Sequence, residues 1–443
     1  MGLSCYLDKK HEGRWIQNAM EVAYLCYLAV IVWYTFILTT MFKIMWPENI
    51  DSTLRKIGFI LVAIKVLMDK KWRWQDILFA FLVTLGFYGN WHVLRERDVA
   101  FYLLLILGAK DVSFDRIAKV YLWVEVPSIL VTYVCSMMGI VAYLTYDAGN
   151  GWLSHAFGSI YRTDFSAHLF FLVCCMLWIS RKKIWYWESI FILWIAWFVD
   201  RYCAARNSTI CLIILGLGAF FIQFFRDIPR LVGRQHRDTL IANEKSDHQK
   251  TNFWERGEKF KQKIVFCSCF CMPVFAVAAV IFSRFYTPTQ SWMAQINAWI
   301  SNRLELGRKG FDLYNIKWFG QIIPQYGAGG IVNPSREYFY LDISYVNVLL
   351  CMGIIVFMTV LAIFVLSSLR AYKYHDYVCV FILLVVAIHC SIEHHLIAAA
   401  YDPFLMLIFA NVGRSKNPAI RRTCQNGKNI GNGQRHQKRL HVL

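Results

Sequence analysis

The stretch RTDFSAHLFFLVCCMLWISRKK, residues 162–183, decides the fold. It opens on a cation, a carboxylate and an imidazole (Arg162, Asp164, His168), runs apolar over 164–180, and stops at three consecutive basic residues. An uninterrupted apolar run of roughly 20 residues is the length a helix needs to cross the hydrocarbon layer of a bilayer. The charges sit at its mouths, where the headgroups would be.

The rest of the chain repeats this pattern. Of 443 residues, 57% are hydrophobic and only 17% charged, and the mean hydropathy is +0.40; water-soluble domains expose far more Lys, Glu, Asp and Arg. About twelve apolar segments of spanning character are expected, near 18–42, 56–69, 75–93, 98–110, 119–146, 164–180, 184–200, 207–226, 263–283, 343–369, 374–394 and 398–413. Only helices and closed barrels satisfy backbone groups in lipid, and these runs lack strand alternation. The expected fold is therefore all-α and polytopic, one membrane domain over 1–443. The first run lacks a small-residue cleavage site and is expected to be a span, not a signal peptide. The 14 cysteines fall mostly inside apolar runs and read as packing residues, with neither a disulfide framework nor zinc-ligand spacing.

Charge sets an orientation. With twelve spans both termini share a side, and about 32 Lys and Arg fall on that side against about 14 opposite, so the positive-inside rule makes the termini cytoplasmic. The largest contributions come from RKK at 181–183, the basic loop 226–263 and the tail 414–443. A net charge of +18 is thus read as loops held against anionic headgroups, with no nucleic-acid partner.

This topology sends four clusters of ionisable residues to the outer face: Arg162, Asp164 and His168; DRYCAARNST (200–209) with Arg201 and Arg206; the outer segment 285–342 with Arg303, Arg308 and Lys309; and SIEHHLIAAAYDP (391–403) with Glu393, His394 and His395. Ionisable groups at membrane depth are costly and mark sites by default. Asp164 and His168 share a helical face at i, i+4. The bland alternative is that Arg162 snorkels and Asp164 caps the helix. Arginine offers a fixed fork of donors suited to phosphate oxygens, although Asp200 can neutralise Arg201 or Arg206. Asn207-Ser208-Thr209 has the form of a glycosylation sequon but reads as a helix start. The aromatic run leading to Asp342 and Tyr345 suits stacking on sugar rings, or else is an interfacial loop. Glu393, one turn after His389, invites a metal reading, but HExxH is absent; a base or proton shuttle is the stronger reading. No metal and no cofactor are expected. Neither a Walker loop nor an Asp-x-Asp pair occurs, which disfavours ATP hydrolysis and a cytoplasmic nucleotide-sugar transferase.

Together RTDFSAH, the Arg201/Arg206 pair, NRLELGRKGF with its Gly-rich continuation, YLDISYVNVLLCMG and EHHLIAAAYDPFL resemble the Wzy-type O-antigen and capsular polysaccharide polymerases, relatives of the O-antigen ligases and, more distantly, of the C-type glycosyltransferases. The resemblance runs from about residue 60 to 412. It implies an enzyme of the bacterial cytoplasmic membrane that transfers a glycan from polyprenyl pyrophosphate to a sugar hydroxyl of the next lipid-linked repeat unit, outside the cell membrane. Its partners would be lipid-linked oligosaccharides, membrane lipids and a chain-length regulator. Arg162, Arg201, Arg206 and Arg303 would then contact phosphate, with Asp164 and His168 orienting them or relaying a proton. Asp342, Glu393 or His394 would be the base, and Tyr345 and His395 would touch substrate. The ligase branch carries a His-Asn pair where this chain has Asp342-Ile343-Ser344. Two alternatives stay open: a ligase, and a transporter or flippase of lipid-linked sugars, the latter favoured by Glu125 and Lys65 deep in apolar runs and by Pro127 beside Glu125.

Overall fold

The computed structural model of the protein describes residues 2–45, 50–69, 72–94, 97–147, 151–236, 247–327, 329 and 337–412. The basic tail 414–443, part of the loop 226–263 and part of the outer segment 285–342, including residues of its Gly-rich piece, lie outside the described residues. The chain is mostly helical: α1 Gly2–Leu38, α2 Ile50–Met68, α3 Trp74–Leu94, α4 Arg97–Gly108, α5 Phe114–Met137, α6 Arg162–Ser180, α7 Tyr186–Phe198, α8 Arg206–His236, α9 Asp247–Ser268, α10 Cys271–Arg284, α11 Ser291–Trp299, α12 Arg303–Leu313, α13 Ser344–Asn347, α14 Gly353–Lys373 and α15 Tyr377–Cys390. A two-stranded hairpin, β1 Thr145–Asp147 with β2 Leu153–His155, interrupts them.

Among the described residues six helices are long and apolar enough to cross a membrane, and a seventh if Lys259–Ser268 and Cys271–Arg284, bent by 47°, count as one. By length and composition this is a multi-pass helical membrane protein. Large apolar side chains on the outside of the bundle, such as Trp123, Leu130, Trp194 and Phe225, are exposed, the arrangement expected where lipid is the solvent. The remaining predicted segments take other forms. Val99–Gly108 and Tyr377–Cys390 are apolar but short, and 184–200 ends in a π-helical turn, Val199–Cys203.

The stretch that opened the reading is the central helix. In α6, 72% of the apolar window is buried, against 22% in α3. It packs on α5, α8 and α15. At its far end Arg181 is buried between Asp115 (2.8 Å) and Asp376 (2.9 Å) and lies over the Trp178 ring. Of RKK, then, only Lys182 and Lys183 are surface charges; Arg181 joins the starts of α5 and α15 to the end of α6, because a buried guanidinium needs carboxylates around it. Lys65 has a comparable role, donating to the carbonyl oxygens of Gly108 and Lys110 at 2.8 Å, where the end of α4 leaves carbonyls unpaired.

Two apolar segments depart from helix. The segment expected to be the twelfth span is no spanning helix; only a short 3₁₀ turn, Phe404–Ile408, forms in it. It nevertheless runs along the bundle, from Ala399, whose carbonyl accepts from Tyr121, to Asn411, which bridges to Ser113 at the start of α5. Irregular backbone is tolerated at this depth only where protein satisfies it. Tyr102 donates to the Asp402 carbonyl at 2.7 Å, and Arg370 donates to the carbonyls of Leu407, Ile408 and Ala410. The second departure is between α13 and α14, where Val348–Met352 is a π-helical turn ending at Gly353 with φ +90°. Residues 317–321 cross this break: Ile354 and Ile355 donate to the carbonyls of Lys317 and Trp318, and Gln321 N–H donates to that of Cys351. A Cβ at Gly353 would lie 2.3 Å from the Gly320 nitrogen, so the crossing requires glycine at both positions.

Candidate functional site

The four clusters come together at the Arg162 end of α6. Arg162 and Asp164 open α6, Arg206 opens α8 after the tight α7 turn, Arg303 opens α12, and Asp342, Glu393 and His394 come from the approaches to α13 and from the turn after α15. The position of Arg303 is set by Asn297, whose Oδ1 accepts from the N–H groups of Leu304 (3.0 Å) and Glu305 (3.2 Å) and so caps α12. The glycines of NRLELGRKGF let α12 lie close to its neighbours, Gly307 against Ser283 and Gly310 against Leu341.

Two cavities meet here. A polar one of about 410 Å³ is lined by Arg162, Arg206, Arg303, Asp342, Glu393 and the aromatic groups of Tyr146, Tyr338 and Trp299. A larger one of about 950 Å³ lies toward α1 and α4, with Ile31, Leu38, Val99 and Phe101 beside Thr35, Gln321, Gln325 and Asn347. Tyr161, Asp164, Tyr340 and His394 line both.

The three arginines of the polar cavity differ in their partners. Arg303 is clamped: Nη1 and Nη2 donate to the two Glu393 oxygens at 3.0 and 3.2 Å, Nη1 also to the Ile392 carbonyl, and Nε stands 3.5 Å from Asp342. Burial opposes its charge, but Glu393 and Asp342 outweigh that and hold its pKa above the ordinary value. Burial pushes Glu393 up to about 7 despite Arg303, with Asp342 adding to the rise. Arg162 donates to Ser154 Oγ at 2.8 Å on the hairpin. Neither it nor Arg206 has a carboxylate within ion-pair distance among the described residues. Two cations without counter-charge therefore face one cavity.

Around them, His394 Nδ1 lies 3.7 Å from Asp342, and His395 Nε2 lies 3.5 Å from Asp164. Burial, then His395, lowers His394 to about 4; burial, then Arg303, lowers His395 to about 3. Both imidazoles are neutral at pH 7. Ser344 donates to the Glu393 carbonyl and accepts from Leu396 N–H at 3.3 Å, fixing this turn.

Several expected site residues lie elsewhere. Arg201 is exposed and stacks over Trp152 at 3.7 Å on the hairpin, outside both cavities; no pairing of Asp200 with either neighbouring arginine occurs among the described residues. Tyr345 is completely buried and donates to the Ala387 carbonyl at 2.8 Å, so its ring is core. His168 sits below the cavities, between Thr39 (3.0 Å) and Glu125 (3.1 Å), under Tyr401. It shares a face with Asp164 but lines neither of the two cavities. His395 is likewise wholly buried, off the cavity wall. His389 and Glu393 do not act together, because α15 ends between them and the His389 ring stacks on Phe170 and meets Ser208. Asn207 is buried and donates to the His389 carbonyl, which removes the sequon reading. Reading the sequence missed Tyr161, Tyr340, Trp299 and Gln325; the first two adjoin Arg162 and Asp342, and that adjacency was the available signal. The chain matches no family model, no curated protein and no solved structure.

Proposed function

We propose that the chain is a polysaccharide polymerase of the bacterial cytoplasmic membrane, acting at its outer side, with cytoplasmic termini and about twelve crossings in all once the short helices and the irregular 398–411 segment are counted. The observation that supports it best is the pair of arginines without counter-charge, Arg162 and Arg206, lining a polar cavity that adjoins a larger, more apolar one.

In this reading the polar cavity receives the pyrophosphate of the donor, and the other receives the acceptor repeat unit. The sugar C1–O bond to phosphate breaks, its electron pair leaving with polyprenyl pyrophosphate, while the acceptor oxygen forms the new bond to C1. Arg162 and Arg206 stabilise the charge that develops on the leaving group, a task guanidinium groups perform without a divalent ion. Glu393 is engaged by Arg303 through both oxygens, so it positions that arginine. The proton of the acceptor hydroxyl passes to the Asp342 and His394 pair at the cavity wall.

The test replaces Arg162 and Arg206 together with Lys, confirms insertion and amount, and measures polymer length on the cell surface. Short, unpolymerised product is expected. Long polymer at the wild-type level sinks the reading. A transporter is the second reading, favoured by the break at Val348–Met352 and by the buried Glu125–His168 pair, since broken helices and buried charges mark transport sites. Lipid-linked single units accumulating on the outer face in the double variant support the polymerase; accumulation on the inner face supports transport.

A further inference from the structure

Beneath the wall shared by the two cavities lies a cluster of which the proposed reaction uses only His394. His395 is completely buried, yet neither ring nitrogen has a hydrogen-bond partner; Asp164 Oδ1 and His394 Nδ1 are buried and unpartnered as well. Leaving such groups unsatisfied costs about 1–3 kcal/mol each. Asp164, His394 and His395 each offer one ligand atom, all within 4.8 Å of one another. The His395 Nε2 to Asp164 Oδ1 separation of 3.5 Å is close to the ~3.3–3.4 Å between two ligands bound to one tetrahedral ion at ~2.0–2.1 Å.

The geometry points to a divalent transition-metal site, best suited to zinc, formed by Asp164, His394 and His395. Two imidazoles and one carboxylate favour zinc over magnesium or calcium, which prefer all-oxygen shells. Burial of Asp164 and His395 gives the site a closed floor, while Asp164 and the partly exposed His394 also line both cavities, leaving the fourth coordination position facing them. That is the form of a site with an open position, where a bound hydroxyl or water is acidified. The neighbouring Asp342, Glu393 and His394 also form a possible ligand group, but Arg303 already occupies both oxygens of Glu393. No local spacing encodes this group, since Asp164 stands 230 positions before His394. This inference goes beyond the polymerase reading and shares His394 with it; zinc retention is read without activity, so the failure of one is distinguishable from the failure of the other.

The experiment uses the full chain purified in detergent, stripped with EDTA, then supplied with zinc and passed through gel filtration. One zinc ion per chain by elemental analysis is expected, with a higher thermal midpoint than in EDTA. With cobalt as probe, visible absorption bands should appear and be displaced by zinc. His395→Ala and His394→Gln should each weaken zinc binding at least about tenfold, while His155→Ala on the hairpin should not. If His395→Ala fails to fold, the partly exposed His394→Gln carries the test, foldedness being judged by its thermal midpoint in EDTA. Three results overturn the site: no retained zinc in the wild type, zinc retained equally by the His394 and His395 variants, or zinc lost in Glu393→Gln and kept in His395→Ala, which moves the ion to the neighbouring group.

Discussion

Two buried arginines, Arg181 and Arg303, sit at opposite ends of the bundle and engage carboxylates in the same way. Arg181 meets Asp115 and Asp376 at the close of α6; Arg303 meets Glu393 and Asp342 near its start. Around Arg181 the surroundings are aromatic packing, with Trp178 donating to Asp115 and Phe114 edge-on to Trp178, and neither of the two cavities reaches it. Around Arg303 two further arginines, Arg162 and Arg206, have no carboxylate in ion-pair distance among the described residues, and a polar space remains. A paired arginine is part of the scaffold at either end; what marks a site is cationic charge in excess of its counter-charge, beside a volume that a ligand can fill.

Substitutions can break this comparison. The largest effect belongs to the double replacement of Arg162 and Arg206 with Lys, expected to lower the rate of polymer growth about 10²- to 10³-fold with little change in thermal stability. Next is Arg181→Met, expected to cost about 2 kcal/mol, below the ~3–5 kcal/mol of a fully buried pair because both aspartates keep some solvent contact. A thermal scan measures it, and activity per folded molecule should be unchanged; a selective loss of activity would erase the distinction between the two ends. Smaller again is a pair of tyrosine changes. Tyr340→Ala at the shared wall should lower kcat/KM about five- to tenfold, the effect of losing one ~1–1.4 kcal/mol aromatic contact. Tyr345→Phe should instead cost about 1 kcal/mol of stability through its lost hydrogen bond to Ala387 and leave KM alone. Arg201→Ala should change neither polymer length nor the melting curve. An effect on chain length there would show that the hairpin bearing Trp152 takes part in binding.

Much of the site was legible because charge is conspicuous in an apolar chain. Arg162, Asp164, Arg206, Arg303, Asp342, Glu393 and His394 all stood out as ionisable residues at the mouths of apolar runs, and all line the polar cavity. Arg201 and Arg206 were indistinguishable by that measure; the π-helical turn at Val199–Cys203 sends one to Trp152 and the other to the cavity. Tyr345 looked like its neighbour Tyr340, yet a short helix beginning at Ser344 turns it into the core. The apolar run 398–413, short for a span, forms no spanning helix, because Tyr102, Tyr121 and Arg370, from three other helices, satisfy its backbone in place of an internal ladder.

By itself the sequence determined the solvent and the class: apolar runs of this length demand lipid or a buried interior, and backbone hydrogen bonding then demands helices. It also determined which residues could carry charge at that depth. Tertiary structure alone decided which of those charges are neutralised and which remain available. Pairing depends on distances of a few ångströms between groups far apart along the chain, such as Arg303 and Glu393 or Asp164 and His395, and no local spacing encodes them.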